Sequence, residues 1–216
     1  MKHIVLTSLA CLSILAMPAR AQRASGPFSA PTAHLTVRPD SRLWIEGSSN
    51  LRDWSCEATA LDASIDIDRV AGGAGSIAGL RRVRVSVPVS ALTCGRGQMD
   101  RIMYKALRAD DEPSCRYIVG SFDVVATDSD GEFSVRTLGS LRVAGRQNEV
   151  QLDVDVAELP DGTLRAQGSL PILMTDYGIA PPTALLGVIR TGNRIVVKFD
   201  LLVDREPPAV ASTAAR

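Results

Sequence analysis

Histidine is almost missing from this chain: of 216 residues only His3 and His34 are of that type. A Ser/His/Asp triad, an imidazole general base or a His-ligated metal therefore has next to no raw material. The sequence also lacks GxGxxG, a Walker loop, HExxH and GxSxG, which excludes the common nucleotide, zinc-protease and hydrolase signatures. The one glycine-rich stretch, "CGRGQ" at 94–98, has no Lys-Ser/Thr to grip phosphate and reads as a turn that launches a helix. Excess charge is missing too, with 24 basic residues against 24 acidic ones. The basic residues are scattered, whereas a phosphate-tracking protein gathers them in a stripe, so nucleic acid is not an expected partner. Aromatic residues make up only 4% against 45% hydrophobic, so any core must be built from Val, Leu, Ile and Ala.

What the sequence does have begins with "MKHIVLTSLACLSILAMPARAQ". Lys2 and His3 precede an apolar run from Ile4 to Met17, and Ala19-Arg20-Ala21 forms a small-x-small cleavage pattern. The 14 residues of that run fall short of the roughly 20 a membrane-spanning helix needs. Residues 1–21 thus read as a secretory signal peptide cut before Gln22, with no transmembrane segment elsewhere. Cys11 lacks the residue order of a lipoprotein acylation site. Residues 22–33 read as a flexible leader and 205–216 as a disordered tail, both rich in Ser, Ala and Pro without period. Export implies oxidising conditions, and Cys56, Cys94 and Cys115 then offer one disulfide and one leftover thiol, with three pairings open on count alone.

Between leader and tail the period is two. "VRVSV" sets Val83, Val85 and Val87 on one face, "LRV" sets Leu141 and Val143, and "QLDVDVAEL" sets Leu152, Val154 and Val156. "SRLWIEG" and "SIDID" repeat the pattern with Leu43 and Ile45, then Ile65 and Ile67. The last run, "NRIVVKFDLLV", aligns Ile195, Val197, Phe199, Leu201 and Val203 against Lys198 and Asp200. These are half-buried antiparallel strands, separated by Gly, Asp and Asn turns. One segment departs from the period: "GQMDRIMYKALRADD" places Met99, Ile102, Met103, Ala106 and Leu107 on one helical stripe. Asp100 near its start and Lys105 and Arg108 near its end suit the macrodipole, and Pro113 forces an extended exit. About eight strands and one short helix predict an all-β antiparallel barrel over 34–204, with an open sandwich as the alternative. So few bulky rings facing inward is a first sign of a hollow.

Candidate reactive groups have plain explanations. Asp66 and Asp68, and Asp153 and Asp155, sit on polar strand faces; Asp110, Asp111 and Glu112 read as an exposed loop; His34 reads as a solvated residue at a strand entry. Trp44 is out of step with its apolar neighbours and reads as packing on the outside of the sheet. Cys115, Tyr104, Tyr117 and Tyr177 are the only candidates for an enzymatic role.

Four stretches together resemble YceI-like domains. "SRLWIEGSSNLRDWSCEATALDASIDID" is similar to that family's opening strands, "VPVSALTCGRGQMDRIMYKALRADDEPSCRYIVGSFDV" to its strand-helix-strand unit, and "GSLRVAGRQNEVQLDVDV" to its central hairpin. The most specific match is the ending, "MTDYGIAPPTALLGVIRTG". The resemblance covers roughly 35 to 203; "LRDW" stands where many members have a different polar turn. It implies an exported, lipocalin-like eight-stranded barrel with an elongated apolar pocket for a polyisoprenoid or similar amphiphile. It also implies a Cys56–Cys94 disulfide and a buried free thiol at Cys115.

The function expected is sequestration without catalysis, cofactor or metal, in the periplasm or outside the cell. By alternation the pocket is lined by Leu43, Ile45, Val85, Val87, Leu152, Val154, Leu170, Ile172, Val197, Phe199 and Leu201, with Met99 and Met103 as an adaptable lid. The prolines of "APPTALLG" close one end. The alternative is a structural or interaction module of the cell envelope with a filled core, docking through Trp44, the 110–112 acids or the leader. Monomer and homodimer are both open.

Overall fold

A computed structural model describes residues 32–69, 77–127, 132–184 and 186–205. The expected signal peptide, most of the leader, the tail after Arg205 and the tips of the turns at 72–79 and 129–131 lie outside these residues. In chain order the elements are β1 (Thr32–Val37), β2 (Arg42–Ser49), β3 (Asp53–Ala58), β4 (Asp62–Arg69), β5 (Ile77–Pro88), β6 (Leu92–Thr93), α1 (Gly97–Ala106), β7 (Ser114–Thr127), β8 (Glu132–Val143), β9 (Arg146–Glu158), β10 (Leu164–Leu173), β11 (Thr183–Ala184) and β12 (Ile189–Arg205). β1 takes in Thr32 and Ala33 from the stretch read as leader.

Every strand pairing is antiparallel, in the order β1-β4-β5-β7-β8-β9-β10-β12, and β12 pairs back onto β1. Eight strands therefore close a ring, as the alternation predicts. β12 makes this possible by its length of 17 residues. One edge of it carries β1 at Val203–Arg205 and β2 along Thr191–Asp200, while the other edge carries β10. β2, β3 and β6 branch from the ring as a flap that continues the wall toward α1.

Local chemistry explains the sharp points. Ala144 and Gly145 have φ of 48° and 83°, which makes the β8–β9 connection a two-residue turn whose twist matches its strands. Gly145 also has Glu112 against it: a Cβ there would lie 2.8 Å from the carboxylate. Glu112 is partly buried and accepts from Arg142 Nη2 at 2.8 and 3.1 Å, so the reading of 110–112 as a wholly exposed loop is corrected at this residue. Asp110 is exposed, and Asp111 pairs with Arg108 in solvent. The strand-face acids behave as expected: Asp153 meets Arg136, Asp155 meets Ser134 and Asp66 meets His34, all across neighbouring strands. Trp44 lies on the outer face with the Arg42 guanidinium 5.3 Å from its ring centre and its Nε1 donating to Glu46 at 2.8 Å.

Two clusters of buried apolar side chains stand apart, while Cys56, Val89 and Leu92 are buried outside both. At one end Leu35, Ile67, Leu164, Leu201 and Val203 pack together; at the other Val143, Ala144, Met174, Tyr177 and Ile179 do so. The second cluster is the turn after β10 folded back over the barrel, with Gly178 in the left-handed region ending a short 3-10 turn at Met174–Tyr177.

Candidate functional site: an apolar cavity

A cavity of about 820 Å³ runs between the two clusters, within the size range of small-molecule sites. All thirteen residues picked out by alternation border it: Leu43 and Ile45 on β2, Val85 and Val87 on β5, Met99 and Met103 on α1, Leu152 and Val154 on β9, Leu170 and Ile172 on β10, and Val197, Phe199 and Leu201 on β12. Leu43, Ile45, Val85, Leu152, Val154, Leu170 and Val197 belong to the packed periphery of neither cluster. They form the waist of the hollow.

Several wall residues escape the alternation. β7 carries register shifts at Val119/Ser121 and Val124/Ala126. Each bulge adds a residue and reverses which parity points inward. Tyr117 and Val119 face the cavity before the first bulge, and Phe122 and Val124 after it. Gly120, a residue often found where a strand bulges, is the one sequence signal for the switch. Trp54, Phe133, Val135 and Ile179 also line the wall.

The scarce rings do not fill the interior, because glycines let them lie flat. A Cβ on Gly168 would stand 2.5 Å from the Phe199 ring, and one on Gly139 would stand 2.6 Å from Tyr117. Trp54 lies over Gly47, its cross-strand partner, in the same way. Each aromatic covers a bare patch of backbone on the sheet instead of projecting into the hollow.

The helical lid is tied down just before its first turn, at that turn through Asp100, and near its end through Tyr104. α1 has no fully buried residue, and Met99, Ile102, Met103, Ala106 and Leu107 face the cavity half-buried. The Cys56–Cys94 disulfide ties β3 to the segment before the helix. Asp100 reaches back to accept from the Cys94 amide at 2.6 Å and from Thr93 Oγ1 at 3.2 Å. Tyr104 donates to the Leu92 carbonyl at 2.8 Å. Tyr104 is therefore a strut, and its hydroxyl serves no reactive partner.

The polar side chains on the cavity wall are few: Arg116, Tyr117, Thr137, Glu158 and Thr191. Tyr117 and Thr137 share a 2.7 Å hydrogen bond, and Thr137 Oγ1 donates to the Leu152 carbonyl at 3.0 Å. Burial pushes the Tyr117 hydroxyl's pKa up, with the hydrogen bond it shares with Thr137 acting in the opposite direction. Among the described residues no group of three or more His, Cys, Asp or Glu is arranged to hold a metal.

Cys115 is a free thiol on the cavity wall, and burial raises its pKa from 9.0 to about 11. It stays protonated and unreactive at neutral pH. The unfolded thiol ionises near 9 and the folded one near 11, so the contribution is fully present below pH 9 and is lost as pH rises to 11. Between those limits Cys115 costs about 2–3 kcal/mol of stability. Urea unfolding of the parent and Cys115→Ala across this range should show the steeper decline in the parent.

Tyr177 is 2% exposed and its hydroxyl has no hydrogen-bond partner. Asn148 is beside it, but its Nδ2 donates to the Asp176 carbonyl at 3.0 Å. Tyr177 packs in its cluster and also borders the cavity, and burial raises the pKa of its hydroxyl. Removing an unsatisfied buried hydroxyl relieves a desolvation cost, so Tyr177→Phe should gain about 1 kcal/mol in denaturant unfolding.

Comparison with solved structures returns the same architecture. BcnA of Burkholderia cenocepacia superposes with a TM-score of 0.59 at 16% identity, covering 77% of this chain and 99% of its own. A polyisoprenoid binding domain from Saccharophagus degradans, implicated in plant cell wall breakdown, gives 0.57 at 15%, covering 81% and 98%. The YCEI protein of Campylobacter jejuni gives 0.53 at 16%, covering 70% and 84%. No curated protein sequence matches. The family model for the YceI-like domain matches residues 32–203, nearly all of the described chain. With the eight-stranded ring, the helix and the apolar hollow all in place, the chain belongs to the YceI-like domain family.

Proposed function

We propose that this protein is an exported carrier that sequesters a long apolar molecule, of polyisoprenoid type, in the barrel cavity and catalyses nothing. The observation that carries the reading is the cavity's waist: a band of Val, Leu and Ile that neither core cluster fills. At about 30 Å³ for each water-sized group, 820 Å³ accommodates roughly 27 carbon-sized groups, or about five isoprene units. Each methylene-sized group buried contributes about 0.8 kcal/mol. Twenty of them outweigh an association cost of about 4–15 kcal/mol without any polar contact. Selectivity is then for length and flexibility, and the thirteen wall residues named above are the contacts.

The Saccharophagus degradans domain, a polyisoprenoid binder by description, supports this ligand class. The Cys56–Cys94 disulfide supports an oxidising compartment, the periplasm or the exterior. Among the described residues no helix is long and apolar enough to cross a membrane. Native mass spectrometry and lipid extraction of protein purified from its own host test the reading. The expected result is one long apolar molecule per chain, and a strictly empty chain counts against it.

A further inference from the structure

Three apolar side chains stand in solvent where two loops meet. Leu51 and Val188 are each 68% exposed and Leu186 is fully exposed. Leu51 caps the β2–β3 turn, and Leu186 and Val188 lie in the loop between β11 and β12. Asn50 joins the two loops: its amide donates to the Arg190 carbonyl at 3.1 Å, its Nδ2 donates to the Val188 carbonyl at 2.9 Å, and its Oδ1 accepts from the Arg190 amide at 2.8 Å. Leu186 has φ of 56°, a left-handed conformation that a bulky residue rarely adopts and that clusters at functional positions.

We propose that this tip is a membrane-docking surface, which inserts Leu51, Leu186 and Val188 at the headgroup–acyl boundary of a bilayer containing anionic lipid. The occupant follows from size and charge. A stable protein interface needs about 800 Å² from each partner, far more than three side chains at the tip of two loops supply. Shallow insertion into lipid needs only a few apolar groups with cations behind them. Arg52 follows Leu51 in the chain, and Arg190 Nε donates to the Gly187 carbonyl at 3.3 Å, against the loop. Neither arginine makes an ion pair among the described residues, and both are exposed. Asp53 is the acid beside them in the chain. The tip residues do not line the cavity, but their neighbours Trp54, Pro182 and Thr191 do. Docking would therefore set that end of the barrel against the bilayer, where a carrier's cargo resides. The choice of occupant rests on the carrier reading.

The test is flotation of the protein, recovered after export, with phosphatidylcholine vesicles with or without phosphatidylglycerol. Binding to anionic vesicles is expected, and L51S/L186N/V188S, in which Asn tolerates the left-handed site, should weaken it by at least about tenfold. R52Q/R190Q should abolish the preference for anionic vesicles. Uptake of an apolar fluorophore by both variants should equal the parent's. Absence of parental binding, equal binding by the triple variant, or a dimer that the triple variant dissociates without any flotation would overturn the proposal. Flotation that depends on the tip in a protein that takes up no fluorophore would instead remove the carrier reading and leave the docking surface standing.

Discussion

Val197→Trp should fold, unfold in urea within about 1 kcal/mol of the parent, and lose its apolar ligand by at least about a hundredfold. Val197 sits mid-strand on β12, between Leu170 of β10 and Ile45 of β2, at the cavity's waist. In a filled interior, an indole in place of an isopropyl group forces neighbours off their rotamers and costs about 1–3 kcal/mol or more. Here the ring projects into space that no side chain occupies, so it competes with ligand and with little else. Leu201→Ala provides the contrast four residues along the same face. Leu201 is buried in the first cluster among Leu35, Ile67, Leu164 and Val203, and its truncation should cost about 2–5 kcal/mol. Urea unfolding and fluorophore titration of both variants check the pair. A large destabilisation by Val197→Trp would mean that the waist is packed.

Cys56→Ser/Cys94→Ser should be the most destabilising change outside the clusters. The bridge spans 38 residues, and closing a loop of that length removes chain entropy from the unfolded state worth about 4 kcal/mol on the loop-closure model. The loss is concentrated functionally, because the bridge sits where α1 leaves the flap and the helix buries no residue completely. Asp100 and Tyr104 alone would then hold the lid to β6. The double variant should therefore both unfold at lower urea and release ligand faster than the parent. Equal release rates would show that α1 does not govern exchange.

How far the fold can be read from residues alone differs from element to element. The waist is legible because period-two alternation holds over the stretches that form it: Leu43 and Ile45 on β2, Val83 to Val87 on β5, Leu152 to Val156 on β9, Leu170 and Ile172 on β10, and Ile195 to Val203 on β12. The helix is legible from its stripe of Met99, Ile102, Met103, Ala106 and Leu107. β7 is not, because its first bulge, between Val119 and Ser121, reverses the inward parity and puts Phe122 and Val124 on the wall, and a bulge depends on the partner strand as much as on the sequence. Nor does local pattern say which strands close the ring. Closure depends on β12 sharing one edge between β1 and β2, a long-range pairing with no local signature. Glycines in strands read as turns or weak points, yet Gly139 and Gly168 exist to seat Tyr117 and Phe199, a relation visible only across strands. Glu112 shows the same limit, since its partner Arg142 is 30 residues away. The disulfide follows from family resemblance, as count alone left three pairings.

The account stands on an interior that is empty of side chains and able to take a single long apolar guest. Titrating delipidated protein with an environment-sensitive apolar fluorophore measures this directly. One bound molecule per chain with blue-shifted emission, displaced by an isoprenoid chain of about 25 carbons, is the predicted result. A folded protein, verified by its β-sheet circular dichroism, that takes up no fluorophore would contradict it.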